Sequence, residues 1–306
     1  MSRVAAPLRL ALDLGGTTTR AALVRGGKVE ERREAPTPAR EGPEAAVAVA
    51  AELLAPFVGR VDAVGVAATG RVHDGHVSAV NRATLPGWDG FPLGPSLADR
   101  CGLPVRVVND AHAAAWGEAR FGAGRGSRDF AFVTVSTGIG AGVVAEGRLL
   151  RGARGLAGHL GFWSLPGDGF AGAVGDADVG RTVLEHLASG TGIARAGSAA
   201  CGEPLTTREV FAHAATGDAR ARAVLEAAVD ALARALVDLR WLVDPERVAV
   251  GGSAGLSPGY LEALRAALAR LEPDDPLTVV AAELGADAGL LGAAALLDPA
   301  RSLDTG

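Results

Sequence analysis

The sequence predicts an α/β protein made of two related lobes facing each other across a central cleft. Three observations carry this expectation. A buried strand runs straight into a glycine-rich hairpin over residues 8–24, the same device returns over residues 130–145, and each copy is followed by alternating helix and strand signals. No long Pro/Ser linker separates the copies, so the 306 residues are expected to form one bilobal unit with a short hinge. The expected lobes are residues 1–112 and 113–285, with a C-terminal helix, 286–306, packing back on the first.

Leu8–Leu14 places apolar side chains at Leu8, Leu10, Leu12 and Leu14 and reads as a buried strand. Thr18–Val24 is its hairpin partner, and Gly26-Gly27 turns the chain into a third strand over Val29–Glu34. Pro43–Phe57 has helical spacing with proline in its first turn, where a missing N–H costs nothing. Strands follow at Val61–Ala68 and Val105–Val108, the second leading through Asn109-Asp110 into a helix over Ala111–Arg120. In the second half, Phe130–Ser136 is a strand ending in Ser136-Thr137-Gly138-Ile139-Gly140-Ala141-Gly142. Val143–Ala145 continues beyond that turn, and Gly147 leads to Leu149-Leu150.

Asp218–Val243 is the longest helical stretch, with a stripe of Leu225, Val229, Leu232, Leu236, Leu239 and Val243 opposite Glu226, Asp230, Arg234 and Asp238. That pattern suits a helix packed on a sheet, a coiled coil being the alternative. Val248–Val250 opens on Gly251-Gly252-Ser253-Ala254-Gly255 ahead of a helix, and Leu277–Ala281 precedes a last helix over Ala286–Leu297.

Composition narrows the function classes. A net charge of −5 argues against a surface built for nucleic acid or anionic membranes. With 48% hydrophobic and 21% charged residues the chain has material for a core and no disorder signature. No stretch approaches the ~18 consecutive apolar residues of a spanning helix, and nothing resembles a secretion signal, so the expected address is the cytoplasm. Cys101 and Cys201 make neither a disulfide framework nor a zinc cluster and are expected as free, buried thiols. Glycine, at 43 of 306 residues, is about twice its usual ~7%, and its clusters sit where phosphates would bind.

In Asp13-Leu14-Gly15-Gly16-Thr17-Thr18, adjacent glycines let backbone N–H groups approach an anion, the threonine hydroxyls add donors, and Asp13 is placed to orient the water shell of Mg²⁺. The bland alternative is an ordinary Gly-Gly hairpin beside a surface aspartate. Neither a Walker loop nor a Rossmann fingerprint is present. Thr137, Gly138 and Gly140 repeat the logic in the second half, and two such hairpins suit a polyphosphate gripped from opposite sides. Gly251-Gly252 permits a flat or anionic ligand to approach the backbone, or is a plain strand-to-helix turn. Asp110, between a buried strand and a helix, is either a helix cap or a general base toward a hydroxyl nucleophile. His159 lies in a glycine-dense segment, Arg151–Phe162, as a structural residue or a ligand-contacting one, and Glu185 is by default an exposed carboxylate within a helix.

These segments, together with Ala68-Thr69-Gly70, Asn109-Asp110-Ala111, Val135–Gly140, Leu156–Gly161, Glu185–Gly190 and Val250–Leu256, resemble the ROK family of repressors, open reading frames and kinases. The similarity spans Leu12 to about Leu297. The resemblance implies an actin-like ATPase (RNase H-like) fold and an ATP-dependent sugar kinase. Gly15, Gly16, Thr17, Thr18, Thr137, Gly138 and Gly140 would hold the ATP phosphates, Gly251 and Gly252 the adenosine side, and Asp13 would organise Mg²⁺ through water. Asp110 would take the proton of the sugar 6-hydroxyl, with Gly70, Arg71, Thr84, Asn109, His159 and Glu185 binding the sugar. His159 stands where most of the family carries glutamate, which favours the branch acting on N-acetylmannosamine; a glucokinase or other ROK hexokinase is the alternative. The family habit also implies a homodimer.

Two departures stand out. The family commonly carries a zinc site of one histidine and three cysteines; the histidine position is Phe162, and Trp163–Arg181 contains no cysteine, so no zinc is expected. Phe162 and Trp163 are expected to pack apolar surface in its place. Thr84 stands where family members often carry asparagine, which leaves catalysis intact and specificity open. The ROK repressors need an N-terminal DNA reader of several tens of residues, and the hairpin at residue 13 gives the expectation of none and of no nucleic-acid partner. A catalytically idle sugar sensor is the remaining class, against which stand Asp13, Asp110 and both hairpins.

Overall fold

The computed structural model describes residues 6–80, 86–165 and 183–298. In chain order the first elements are β1 (Leu8–Leu14), β2 (Thr18–Arg25), β3 (Lys28–Pro36), α1 (Pro43–Leu54), β4 (Val64–Ala68), β5 (Arg71–His73) and β6 (His76–Ser78). They are followed by α2 (Leu93–Cys101), β7 (Val105–Asn109), α3 (Asp110–Phe121), β8 (Phe130–Val135), β9 (Ile139–Ala145) and β10 (Arg148–Leu150). The remainder is α4 (Leu184–Ala188), α5 (Gly190–Cys201), α6 (Thr207–Ala215), α7 (Ala219–Val243), β11 (Arg247–Gly251), α8 (Tyr260–Leu271), β12 (Val279–Ala281) and α9 (Ala288–Ala295).

The doubling read from the sequence is visible in the two five-stranded sheets, ordered β3-β2-β1-β4-β7 and β10-β9-β8-β11-β12. In each, antiparallel hairpin strands lie on one side and two further strands run parallel to the first: β4 and β7 beside β1, and β11 and β12 beside β8. The described residues divide into two compact units. One lies within Met1–Arg128, Gly142–Ala157 and Glu283–Gly306, the other within Asp129–Ala141 and Gly158–Ala282.

The first unit is built on a sheet whose central strands are apolar on both faces. Leu10, Leu12, Leu14, Val64 and Val66 join Ala46, Val47, Leu54 and Phe57 in one buried cluster. Complete burial of each large aliphatic side chain is worth about 1.5–3 kcal/mol. On the other side α9 lies against α3, β1 and β4. Gly65, Gly117 and Gly292 face the carbonyls of Ala293, Ala288 and Ala113 so closely that a Cβ at any of them would collide with backbone. In the second unit α7 packs against α4, α5, α6 and α8. Its face of Ala228, Val229, Leu232, Leu236 and Leu239 is buried against these helices rather than against a sheet as the sequence reading expects, while Glu226, Arg234 and Asp238 stay exposed. Asp218 caps it, accepting from the Arg220 N–H.

Several boundaries differ from the sequence reading. The helix begun at Pro43 stops at Leu54 and tightens into a 3₁₀ stretch, Ala55–Arg60, because Pro56 brings no N–H to continue the ladder. The second arm of the second hairpin starts at Ile139 rather than at residue 143, so Gly140–Gly142 belong to a strand. The last strand starts at Val279 rather than 277, and the last helix is α9 preceded by a 3₁₀ turn, Gly285–Asp287. Gly251–Gly255 runs into a loop rather than directly into a helix, since α8 begins only at Tyr260. Both cysteines are free but half-buried rather than buried. No helix among the described residues is long and apolar enough to cross a membrane.

Candidate active site

In the first unit, parallel register aligns Leu14 with Ala68 and Ala68 with Asn109. The segments after β1, β4 and β7 therefore leave the sheet at one edge, the carboxyl edge at which open α/β sheets place ligands. They are the Gly15–Thr17 turn, Thr69-Gly70 and Asp110, three of the sequence-predicted groups.

Asp110 is the first residue of α3, and its carboxylate is held on both oxygens. Oδ1 accepts from the Ala111 N–H at 2.8 Å and from Asn109 Nδ2 at 2.9 Å, and Oδ2 accepts from Thr69 Oγ1 at 2.9 Å. The N-cap of α3 is Asn109, whose Oδ1 accepts from the Ala111 and His112 N–H groups. Capping falls to the neighbour, although Asp110 shares one of the same donors. Asn109 is itself fully engaged, because its Nδ2 donates to the Gly70 carbonyl and to Asp110. In this structure it organises Asp110 rather than presenting an open edge to a sugar. Thr69, which orients the second oxygen, was part of a quoted motif but carried no role in the sequence reading; its position between a strand end and Gly70 was the available signal.

Asp13 lies opposite Arg20 across the β1–β2 hairpin, and Arg20 Nη1 approaches its Oδ2 at 3.4 Å while Nε approaches Glu34 at 3.6 Å. Burial and the negative charge of Asp110 push the Asp13 carboxyl up to about 6, with Arg20 pulling the other way. Two carboxylates thus share one region, and Asp13 is reluctant to ionise without a cation. Between the hairpin arms the Gly15 N–H donates to the Thr18 carbonyl, whereas Gly16 faces open space and Thr17 is exposed. Gly70 sits at φ +112°, a conformation that favours glycine, and Arg71 Nη2 approaches Ser78 Oγ at 3.4 Å. A buried histidine missed by the sequence reading, His112, donates Nε2–H to the Ala157 carbonyl at 2.6 Å.

In the second unit, Thr137 and Gly138 form the turn between β8 and β9, and Gly140 lies inside β9. Glu185 is not the exposed carboxylate of the default reading. It is half-buried in α4, and its Oε2 accepts from the Ile139 N–H at 2.8 Å. A Cβ at Gly138 would lie 2.6 Å from that oxygen, and one at Gly161 would lie 3.2 Å from it. His159 is two residues before Gly161, half-buried at the start of a 3₁₀ turn, Leu160–Phe162, with its ring 6.5 Å from that of Phe162. Glu185 thereby joins the turn after β8 to the segment carrying His159. Gly251 ends β11 and Gly252 follows it, and Gly252, at φ +87°, leaves no room for a Cβ beside the Val135 carbonyl. The N–H groups of Ala254 and Gly255 both donate to that carbonyl at 3.0 Å. These glycines thus have a packing reason of their own.

Thr84 and residues 166–182, where the family's cysteines would fall, lie outside the described residues. Phe162 is 37% exposed and Trp163 is half-buried. One thiol–imidazole–carboxylate trio, Cys201, His213 and Asp218, lies within 4.8 Å, but Asp218 already pairs with the Arg220 guanidinium at 2.9 Å. A cation therefore already sits on that carboxylate.

Residues 9–299 match the ROK family. The chain belongs to the ROK family. Its fold is the actin-like ATPase fold of ROK sugar kinases, and it is similar to a ROK family glucokinase from Streptomyces griseus solved with glucose and AMPPNP. That structure is 30% identical at a TM-score of 0.76, with 94% of this chain and 98% of that one covered. The chain is 42% identical to an N-acetylmannosamine kinase of Citrobacter koseri over 291 residues, 94% of this chain and 97% of that one. It is 47% identical over 292 residues to the bifunctional enzyme NanE/NanK of Brucella melitensis. It spans only 53% of the length of that bifunctional relative.

Proposed function

We propose that this ROK protein phosphorylates N-acetylmannosamine at its 6-hydroxyl with ATP, giving N-acetylmannosamine 6-phosphate and ADP. The observation that carries the chemistry is the carboxylate of Asp110, fixed by Thr69 and Asn109 at the sheet edge from which the Gly15–Thr17 turn also leaves. The substrate reading is supported by the relatives named for that sugar and by His159 in place of the family's usual glutamate.

Asp110 accepts the proton of the sugar hydroxyl as its oxygen attacks the γ-phosphorus, and the ADP oxygen departs with the electron pair of the broken P–O bond. Thr69 and Asn109 hold the base in one orientation, so little reorganisation remains for the reaction itself. The backbone of Gly15–Thr17 and the hydroxyls of Thr17 and Thr18 bind phosphate oxygens on one side; Thr137, Gly138 and Gly140 serve on the other, and Gly251-Gly252 lies at the adenosine side. Gly70, Arg71, Thr84, His159 and Glu185 are the sugar-binding set, with Asn109 acting through Asp110. The donor set fits Mg²⁺: Asp13 offers a hard oxygen ligand whose ionisation burial and Asp110 oppose, a charge conflict that a divalent cation relieves. When bound, Mg²⁺ supplies charge neutralisation at the phosphates. Asp13 would hold it through water.

A homodimer in the cytoplasm is the expected state, checked by light scattering on the purified chain. The test of function is ADP release with N-acetylmannosamine, N-acetylglucosamine, glucose and mannose. The highest kcat/KM is expected with N-acetylmannosamine. Preference for glucose would make the protein a glucokinase, and turnover with none would make it a sensor.

A further inference from the structure

The first turn of α5 begins against the glycine turn after β8. Its leading N–H groups, which no helix can satisfy internally, have three separate partners. Gly190 N–H donates to the Ser136 carbonyl at 2.6 Å, Thr191 N–H donates to the Thr137 carbonyl at 3.3 Å, and Gly192 N–H donates to the cap, Ser189 Oγ, at 3.0 Å. The Thr191 hydroxyl adds a second bond to the Thr137 carbonyl at 2.8 Å, although Thr191 is exposed. Both acceptor positions of that carbonyl are therefore filled by one residue.

A planar trans peptide points its C=O and the following N–H in opposite directions. Drawing the carbonyls of Ser136 and Thr137 toward α5 therefore turns the N–H groups of Thr137 and Gly138 away from α5. The next N–H, that of Ile139, is taken by Glu185. The turn is left with two adjacent N–H groups aimed the same way, the arrangement that receives a phosphate oxygen.

We propose that Thr191 is a positioning residue for nucleotide binding: with two bonds to the Thr137 carbonyl it sets the direction of the N–H donors at Thr137 and Gly138. The inference rests on the ATP reading above and assigns a role to a residue that the reading does not use. No contact of Thr191 with the nucleotide is invoked.

Thr191→Val removes the hydroxyl and keeps the branched shape and the backbone bond; Thr191→Ser keeps the hydroxyl. Affinity for Mg-ADP is measured by calorimetry, with KM for ATP and KM for sugar measured alongside it. For Thr191→Val, the dissociation constant for Mg-ADP and KM for ATP are expected to rise about three- to tenfold, the scale of one net hydrogen bond. KM for sugar should change less than about twofold, and Thr191→Ser should restore nucleotide affinity. Unchanged nucleotide affinity in Thr191→Val overturns the inference, as does an equal rise in both KM values, which marks general loosening. Gly190→Ala, whose Cβ would lie 2.6 Å from the Ser136 carbonyl oxygen, should weaken nucleotide binding further in the same direction. Failure of the unaltered protein to bind Mg-ADP overturns the ATP reading itself, an outcome distinct from the others.

Discussion

The two glycine hairpins share a place in their sheets but are held in different ways. The turn of the first, Gly15–Thr17, is held by backbone bonds alone, the Gly15 N–H donating to the Thr18 carbonyl and the Thr17 carbonyl accepting from the Thr37 N–H, while Gly16 faces open space and Thr17 is exposed. Ionisable groups stand close by, with Asp13 at the end of β1, Arg20 opposite it and Asp110 near enough to raise the Asp13 pKa. The turn of the second is strapped by Glu185 on one side and by Gly190 and Thr191 on the other. One turn has backbone bonds only and stands beside ionisable groups; the other is tied to α4 and α5. Phosphoryl transfer in general calls for both properties, donors fixed in advance and charged groups that answer to a moving one.

The largest expected effect separates the two regions by chemistry. Asp110→Asn should lower turnover by about 10²–10⁴, the scale of a lost general base, with sugar binding changed only modestly. Glu185→Gln keeps an oxygen able to accept from the Ile139 N–H, and its loss of turnover should be far smaller. Single-turnover kinetics on the two variants makes the comparison. Equal losses would remove the division of labour between the hairpins, and near-normal turnover in Asp110→Asn would remove Asp110 from the mechanism.

Asp13 gives the next largest effect, on stability in the absence of ligand. Its folded pKa of about 6 lies above the ordinary 3.8. Between those values the folded chain holds a proton that the unfolded chain releases, so this group favours the fold fully below pH 3.8. That favour is lost as pH rises through about 6. Asp13→Asn should therefore stabilise the ligand-free protein at pH 8, by up to about 3 kcal/mol for a shift of roughly two pH units at a side chain only 16% exposed. The gain should fade toward pH 4. Denaturant unfolding at the two pH values reads the difference. A gain that persists unchanged at pH 4 would show that ionisation is not its source.

Much of this was legible in the sequence because the signals were local. Alternating leucines and Asp-Leu-Gly-Gly-Thr identified the first hairpin, Ser-Thr-Gly-Ile-Gly-Ala-Gly after an apolar strand identified the second, and the doubled pattern anticipated the matching strand orders. Helices with mixed signals were not legible. α2 carries Gly94 and Pro95 in its first turn, where the helix tolerates them but a reader sees breakers, and α5 opens Gly-Thr-Gly, the composition of a loop. The capping box of α6, Thr206 with Glu209, was readable and was overlooked. At the site, residue types were legible and their partners were not. Nothing local to Glu185 announces that its carboxylate binds an N–H 46 residues earlier in the chain, or that Thr191 reaches Thr137 across 54 residues. Long-range hydrogen bonds belong to the fold, and spacing carries no trace of them.

Alanine substitution in each turn provides the sharper, smaller tests. In Gly138→Ala the new Cβ would sit 2.6 Å from Glu185 Oε2, so the carboxylate must swing away and give up its bond to Ile139. The side chain is mobile at its tip, so the backbone need not move, and the cost is that of the lost charge-assisted bond, about 1–3 kcal/mol. Both thermal stability and nucleotide affinity should fall. Gly16→Ala has no neighbour within 4 Å to displace, so its melting temperature should be unchanged. On the proposed function its effect should appear only when nucleotide is added, because the methyl group would then occupy the face proposed to meet the phosphates. A Gly16→Ala protein as stable as the parent, yet weaker for Mg-ADP, would locate the phosphate at the first turn. Unaltered nucleotide affinity would leave the first hairpin as a structural turn and transfer the whole of phosphate binding to the second.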